Sequence, residues 1–289
     1  PLPAGKRGDA WWMDADGREL RLSNLDKVFW PDEGYTKGDL LAYYYNVAEL
    51  ILPHLRERPL TMKRMPDGIS GPFFYEKTAQ SHTPDWIPRC PVRSDESKDG
   101  VIGYLMVNDL ATLLFVANLG CIEMHPLHSR CSTIETPDYL FFDLDPMGAS
   151  FEDVLIVARH VRAALGALGL TGYPKTSGAT GVQIYVPVER GWSYDQVRDF
   201  VGTLGRTIER ADREHVTMAW QIYKRTGKVF IDHNMNRSGA NISAVYSLRP
   251  EARATVSTPL LWEEGDAGLT PQDFRIDNVR ERVGELGDL

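Results

Sequence analysis

Two carboxylates stand one residue apart at the end of an apolar run, Tyr139-Leu140-Phe141-Phe142-Asp143-Leu144-Asp145-Pro146. Residues of this kind suit a half-buried pleated surface, which predicts a core strand with an acidic tip. Strand side chains alternate with a period of two, so Asp143 and Asp145 point to the same face. Paired carboxylates repel unless a cation or water comes between them. All-oxygen donors suit a hard ion, Mg²⁺ or Mn²⁺. The plainer alternative is a solvated turn in which an Asp caps the next helix. A second apolar run, Val229-Phe230-Ile231-Asp232-His233, delivers a third acid. Asp143, Asp145 and Asp232 could then hold two ions about 3.5–4 Å apart, as in-line phosphoryl or nucleotidyl transfer needs.

Other stretches could serve the same chemistry. Lys175-Thr176-Ser177-Gly178-Ala179-Thr180-Gly181 offers backbone N–H groups and hydroxyls to a phosphate, or is a plain turn. Phe73-Phe74-Tyr75 after a Gly-Pro is either core or a stacking platform for a base. A zinc site at Cys121, His125, His128 and Cys131 is rejected, because the spacing is not that of the common sites and Pro126 breaks the run. No Gly-x-Ser-x-Gly elbow and no Gly-x-Gly-x-x-Gly follows a strand, which argues against a serine hydrolase and a dinucleotide fold.

The elements that must position these residues read as follows. An arm over residues 1–20 ends in a hairpin turning at Asp14-Ala15-Asp16-Gly17. Thr36 and Asp39 form a capping box for a helix with Leu40, Tyr43, Tyr44, Val47, Leu50 and Ile51 as its apolar stripe, ended by Pro53. Residues 60–65 form a strand with Lys63 and Arg64 on opposite faces, and 85–100 a turn-rich, exposed excursion. Residues 102–107 and 121–125 read as strands around a short helix capped by Asp109. Ser150 and Asp153 open an amphipathic helix closed by Gly169; Ser193 and Gln196 open another. Strands follow at 182–188, 229–233 and 242–248. The order lacks a regular βαβ beat, so the expected fold is α/β with mixed, largely antiparallel sheets and flanking helices, in a single domain over 1–289.

No stretch approaches the ~20 apolar residues of a membrane span, and the start lacks a signal-peptide pattern. Cys90, Cys121 and Cys131 fit reduced thiols and a cytoplasmic, nucleoid-associated setting. The formal charge of −8 argues against a general nucleic-acid coat. Its distribution is uneven: residues 135–153 hold acids without Lys or Arg, whereas 224–253 are mainly basic. An acidic knot facing a basic strip suits a site for cations and phosphates together.

The ordered motifs Asn24-Leu25-Asp26-Lys27, Phe73-Phe74, Glu123-Met124-His125-Pro126, Asp143-Leu144-Asp145-Pro146, Ser177-Gly178, Asp232, Tyr246-Ser247-Leu248-Arg249 and Pro259-Leu260-Leu261-Trp262 resemble the polymerase domain of bacterial DNA ligase D. The resemblance covers nearly the whole chain and implies an archaeo-eukaryotic primase-like core. A ligase Lys-x-Asp-Gly motif is missing, so the expectation is a stand-alone primase-polymerase or an excised domain. By resemblance, Asp143, Asp145 and Asp232 are the catalytic metal ligands, for two Mn²⁺ or Mg²⁺ ions, with a nucleoside triphosphate as substrate. Lys63, His125, Ser177, Gln183, Arg225 and Arg249 match the nucleotide pocket. Phe73 and Phe74 match the residues packing on template and incoming base, and Lys27 and Lys37 those holding a DNA 5′-phosphate. The implied partners are gapped or broken DNA, a DNA ligase and an end-binding repair protein, in non-homologous end joining.

One loop departs from the family pattern Ser-Gly-x-Lys-Gly-Leu-His. Thr180 stands for the Lys and Gln183 for the His, and both family side chains sit against the triphosphate. Hydrogen bonds to charged groups contribute roughly 1.5–3 kcal/mol each, so two losses predict ~10²-fold weaker nucleotide use. A lysine before the Tyr-Ser-x-Arg strand is also missing, with Gly239-Ala240-Asn241 in that region. The leading expectation is template-directed nucleotidyl transfer. The rivals are a DNA-end binding module with a decayed site and a metal-dependent phosphohydrolase.

Overall fold

A computed structural model describes residues 2–289 except Glu96, with every described side chain but that of Asp266. Local chemistry accounts for most of its elements. The chain opens with β1 (Gly5–Arg7), β2 (Ala10–Ala15) and β3 (Arg18–Leu22), an antiparallel sheet turning at Asp16 and Gly17, both with positive φ. A small pair, β4 (Val28–Trp30) and β5 (Tyr35–Thr36), leads into α1 (Lys37–Asn46), capped reciprocally by Thr36 and Asp39. The helix breaks at Val47 and restarts as α2 (Ala48–Leu55), with Pro53 inside it. The expected stop at Pro53 is therefore wrong. Its missing N–H forfeits only one bond near the helix end, which the short helix tolerates.

The second sheet contains β6 (Pro59–Arg64), β7 (Phe74–Glu76), β8 (Arg89–Arg93), β9 (Val101–Met106) and, after α3 (Leu110–Asn118), β10 (Cys121–Pro126). Its order is β10-β6-β9-β8, with β7 also on β6, all antiparallel. The supposed excursion at 85–100 thus supplies a strand, and Ile87 and Cys90 within it are buried. Pairing of β8 with β9 also carries Cys90 to Cys131, where the two form a disulfide with Cα atoms 5.8 Å apart. This corrects the reading of three reduced thiols; only Cys121 is free, and it is buried.

The third sheet holds the acidic strand β11 (Tyr139–Met147). After α4 (Phe151–Ala167) come β12 (Tyr173–Thr176) and β13 (Val182–Pro187), then α5 (Tyr194–Ala211), β14 (Val216–Thr217) and β15 (Lys228–Ile231). The order is β12-β13-β11-β15-β14, antiparallel except for β14 with β15. Leu140, Phe142 and Leu144 pack with Val182, Ile184, Val229 and Ile231 against the apolar faces of α4 and α5. The period of two then turns Phe141, Asp143 and Asp145 to the opposite face. A separate core joins α1, α3, the N-terminal hairpin and the second sheet.

Residues 242–248 do not form the expected strand. Tyr246 has φ 64, a left-handed conformation that no ladder accommodates, and only isolated bridges form there, such as Leu248 with Val256. The segment instead ties the sheets together. Ala244 N donates to Met124 O at 2.8 Å, Tyr246 N to Ser257 O at 2.7 Å, and Thr176 N to Thr258 O at 2.8 Å. The short helices α6 (Trp262–Asp266) and α7 (Val279–Leu286) finish the chain. No described helix is long and apolar enough to cross a membrane.

Candidate active site

The register of the third sheet sets Lys175 opposite Gln183 and Gln183 opposite Asp143, one row across three strands. Lys175 Nζ donates to Gln183 Oε1 and to Ser257 Oγ, each at 2.5 Å, and Gln183 Nε2 donates to Asp143 Oδ1 at 3.0 Å. All three side chains are buried. Burial pushes the Lys175 ammonium down to about 7, helped by Arg249 and opposed by Asp143 and Glu123.

Asp232 follows β15 and its N–H donates to Asp143 O at 3.1 Å, so the three acids meet at one sheet end. Burial raises the Asp143 carboxyl well above the carboxylate range, and the charge of Asp145 adds to this against the Gln183 hydrogen bond. Asp145 is raised by burial and by Asp232, with Arg225 and Arg249 opposing. Among the described residues, no group of three His, Cys, Asp or Glu side chains stands arranged to hold a metal ion. The donor chemistry nonetheless fits a divalent ion. Oxygen donors are gathered at one sheet end, and burial, with the neighbouring acids, raises Asp143 and Asp145.

The facing part of the site is built on the second sheet. Glu123 lies opposite Lys63 in the β10–β6 register, and Lys63 opposite Tyr75 in the β6–β7 register. Glu123 is 1% exposed and has Lys63 at 3.2 Å, His125 at 2.8 Å and Arg249 at 2.9 Å. Burial would raise its carboxyl, but the His125 contact and the charges of His125, Arg249 and Lys63 hold it at about 2. Lys63 sits 4.9 Å from the Phe73 ring, and Tyr75 packs edge-on against both Phe73 and His125. Phe73, Phe74 and Tyr75 are exposed, so the three aromatics are a surface and not core. Arg249 joins the halves, since its charge acts on Glu123, Asp145 and Lys175 alike.

The glycine loop is shaped by close contacts. A Cβ on Gly181 would meet Leu144 O at 2.3 Å, and Gly178, with φ +73, packs on Arg249 and Ser257. Ser177 Oγ accepts from Ala179 N at 3.1 Å and Gly181 N at 3.0 Å, holding the turn closed. Thr180 is exposed at its tip. Arg225 is engaged by its own loop, donating to Ala219 O at 2.8 Å and Trp220 O at 2.7 Å.

Lys27 and Lys37 form a separate basic spot. Lys37 N donates to Lys27 O at 2.8 Å, Lys37 Nζ to Ser23 O at 2.8 Å, and Lys27 pairs with Asp67 at 2.5 Å. Burial lowers the Lys37 ammonium to about 8, with Lys27 and Arg64 pressing the same way. A cavity of about 680 Å³ opens beside Lys175 and Tyr185, lined also by Arg58, Tyr139 and Trp262. None of the three carboxylates borders it, so the acids do not work on its contents.

With this geometry in view, comparison with known proteins is direct. The family model described as "LigD, primase-polymerase domain" matches residues 36–289. The chain belongs to that family. A multifunctional non-homologous end joining protein LigD of Mycolicibacterium smegmatis is 34% identical over 96% of this chain and 36% of its own length. The bifunctional LigD of Bacillus subtilis is 30% identical over 93% of this chain and 43% of its length. The chain thus spans about a third to two fifths of these relatives. The solved polymerase domain of Mycobacterium tuberculosis ligase D, in complex with DNA, superposes with a TM-score of 0.86 at 32% identity, covering 93% of this chain and 96% of that one. Members of the LigD primase-polymerase family are DNA-directed nucleotidyltransferases.

Within this LigD-type fold, sequence reasoning singled out neither Glu123 nor Lys175 as a site residue. Glu123 was visible only as one letter of the Glu-Met-His-Pro motif, and Lys175 as the first residue of a loop. Lys63 and Arg249 are remote from Glu123, and Asp143 from Lys175; strand register places Lys63, Gln183 and Asp143, and the irregular segment after residue 242 places Arg249. Tyr75 stood third in an aromatic run, and its place opposite Lys63 was the signal for a wider platform.

Proposed function

We propose that this chain is a template-directed nucleotidyltransferase that extends a primer on gapped or broken DNA. The observation that carries the reading is the opposition of two clusters. Asp143, Asp145 and Asp232 gather on one sheet, Lys63, His125 and Arg249 gather round Glu123 on the other, and Arg249 acts on both. Two Mn²⁺ or Mg²⁺ ions held by the three aspartates would neutralise the triphosphate and acidify the attacking hydroxyl. Lys63, His125 and Arg249 would orient the phosphates, and Ser177 would contribute its hydroxyl proton. Phe73, Phe74 and Tyr75 would stack template and incoming base. Lys27 and Lys37 would take the 5′-phosphate of the downstream strand, whose charge would favour the Lys37 ammonium that burial, then Lys27 and Arg64, disfavour. The primer 3′-oxygen attacks the α-phosphorus, the bond to the β-phosphate breaks, and pyrophosphate leaves. A ligase would then seal the filled break, as in end joining by the LigD relatives.

The test is primer extension on a short-gap duplex with Mn²⁺ and labelled nucleotides. Wild type adds nucleotides and Asp143→Ala loses at least about 10³-fold of the rate; equal extension by both would overturn the reading. One observation favours a second reading, a DNA-end binding module: Thr180 offers no charge and Gln183 is turned onto Asp143. That module would bind recessed 5′-phosphate ends, lose binding in Lys27→Ala, and add no nucleotide at any concentration.

A further inference from the structure

We propose that Lys175, Gln183 and Asp143 act as one unit across β12, β13 and β11, with Lys175 the positioning residue that holds the Gln183 amide NH₂ against the Asp143 carboxylate. The proposal rests on the nucleotidyl-transfer reading for its kinetic consequences, and on geometry alone for the unit itself.

An ammonium group only donates. The group of Gln183 that faces Lys175 at 2.5 Å is therefore the carbonyl oxygen, which leaves the NH₂ for Asp143 at 3.0 Å. Reversing the amide would set its NH₂ against the ammonium, donor against donor, in a buried place. The ammonium is itself located, because Ser257 Oγ accepts its second proton and donates in turn to Thr176 O at 3.0 Å. Lys175 is 2% exposed and has the Tyr185 ring 5.7 Å away, which confines its side chain. Gln183 is thereby assigned to the carboxylate and not to a triphosphate. Lys175 places a positive charge in the sheet beside a loop whose tip, Thr180, has none.

The unit is tested with Lys175→Met, Gln183→Leu, the double variant and Gln183→Glu, which still accepts from Lys175 but has no NH₂ to offer Asp143 Oδ1. In metal-free protein, the side-chain amide NMR signals of Gln183, identified by their loss in Gln183→Leu, are expected to be protected from solvent exchange in wild type and to lose about 10-fold of that protection in Lys175→Met. In primer extension, Lys175→Met and Gln183→Leu each lower kcat about 10-fold with nucleotide KM held within about twofold, and the double variant is no worse than the stronger single. Gln183→Glu lowers kcat likewise, which keeps the test decisive if Lys175→Met does not fold. The proposal is overturned if Gln183→Leu raises KM about 10-fold with kcat kept, if the single effects multiply, or if Lys175→Met leaves the amide signals unmoved. Should wild type add no nucleotide, the polymerase reading falls, while the amide signals still decide the unit.

Discussion

Glu123 and Asp143 are both buried carboxyls, yet their surroundings drive them in opposite directions. Asp143 has other acids beside it and is pushed toward the neutral form; Glu123 has three potential cations and stays ionised down to about pH 2. The charge of Glu123 keeps Lys63 and Arg249 from repelling each other where a triphosphate would be met. Glu123→Gln is expected to destabilise the fold by about 2 kcal/mol, because it leaves partly buried cations without their counter-charge. Nucleotide KM should rise about 10-fold as the phosphate-orienting groups separate. The pH dependence has a definite sign. A folded pKa near 2, below the unfolded carboxylate value, adds stability above the unfolded pKa and loses it as pH falls toward 2. Thermal unfolding followed from pH 5 to pH 2 should therefore fall more steeply in wild type than in Glu123→Gln; equal slopes would refute the assignment. None of this could be read from residue types, since Glu123 and Arg249 are far apart in the chain and meet only in three dimensions.

At the scale of elements, what is written locally was legible and what depends on distant pairing was not. Thr36 with Asp39, Ser150 with Asp153 and Ser193 with Gln196 each close a capping box as expected, because the interaction needs only three residues of separation. The period of two also placed Asp143 and Asp145 on the face away from the helices. The Cys90–Cys131 disulfide and the irregular path of 242–248 escaped notice. The first needs the β8–β9 pairing to bring its halves together, and the second depends on a positive φ at Tyr246 that a tyrosine does not advertise. Gly181 shows how tightly the strands bearing Gln183 and Asp143 are set. Its Cα faces Leu144 O on β11, two residues before Gln183, so a methyl group must push β13 off its neighbour. Gly181→Ala is expected to destabilise by about 2 kcal/mol through this overpacking. Incorporation should drop about 10-fold because the Gln183–Asp143 contact opens. Circular dichroism with a single-nucleotide incorporation assay checks both; unchanged activity in a folded variant would show that strand spacing there is unimportant.

On the scale of the whole molecule, the question is how two hydrophobic clusters, each with its own sheet and helices, become one working body. The proposed site draws on groups from both, so a loose hinge between them would misplace Arg249 relative to the acids. The chain solves this with residues 240–260, which bond to β10 through Met124 and to the third sheet through Thr176 and Pro174. Helix α1 reaches the same segment, with Tyr43 Oη donating to Tyr246 O at 2.9 Å and Tyr44 Oη contacting Ser247 Oγ at 3.3 Å. Because this strap is largely buried on either side of exposed residues 251–253 and is bonded to both cores, we infer that residues 1–289 unfold as a single domain. Calorimetry should show one transition whose van't Hoff and calorimetric enthalpies agree. Mn²⁺ at about 100 times its dissociation constant should move that transition up by about 5 °C in wild type, and not in Asp143→Asn. Two resolved transitions, or a metal-induced shift confined to one of them, would mean that the sheets fold independently and that the strap only tethers them.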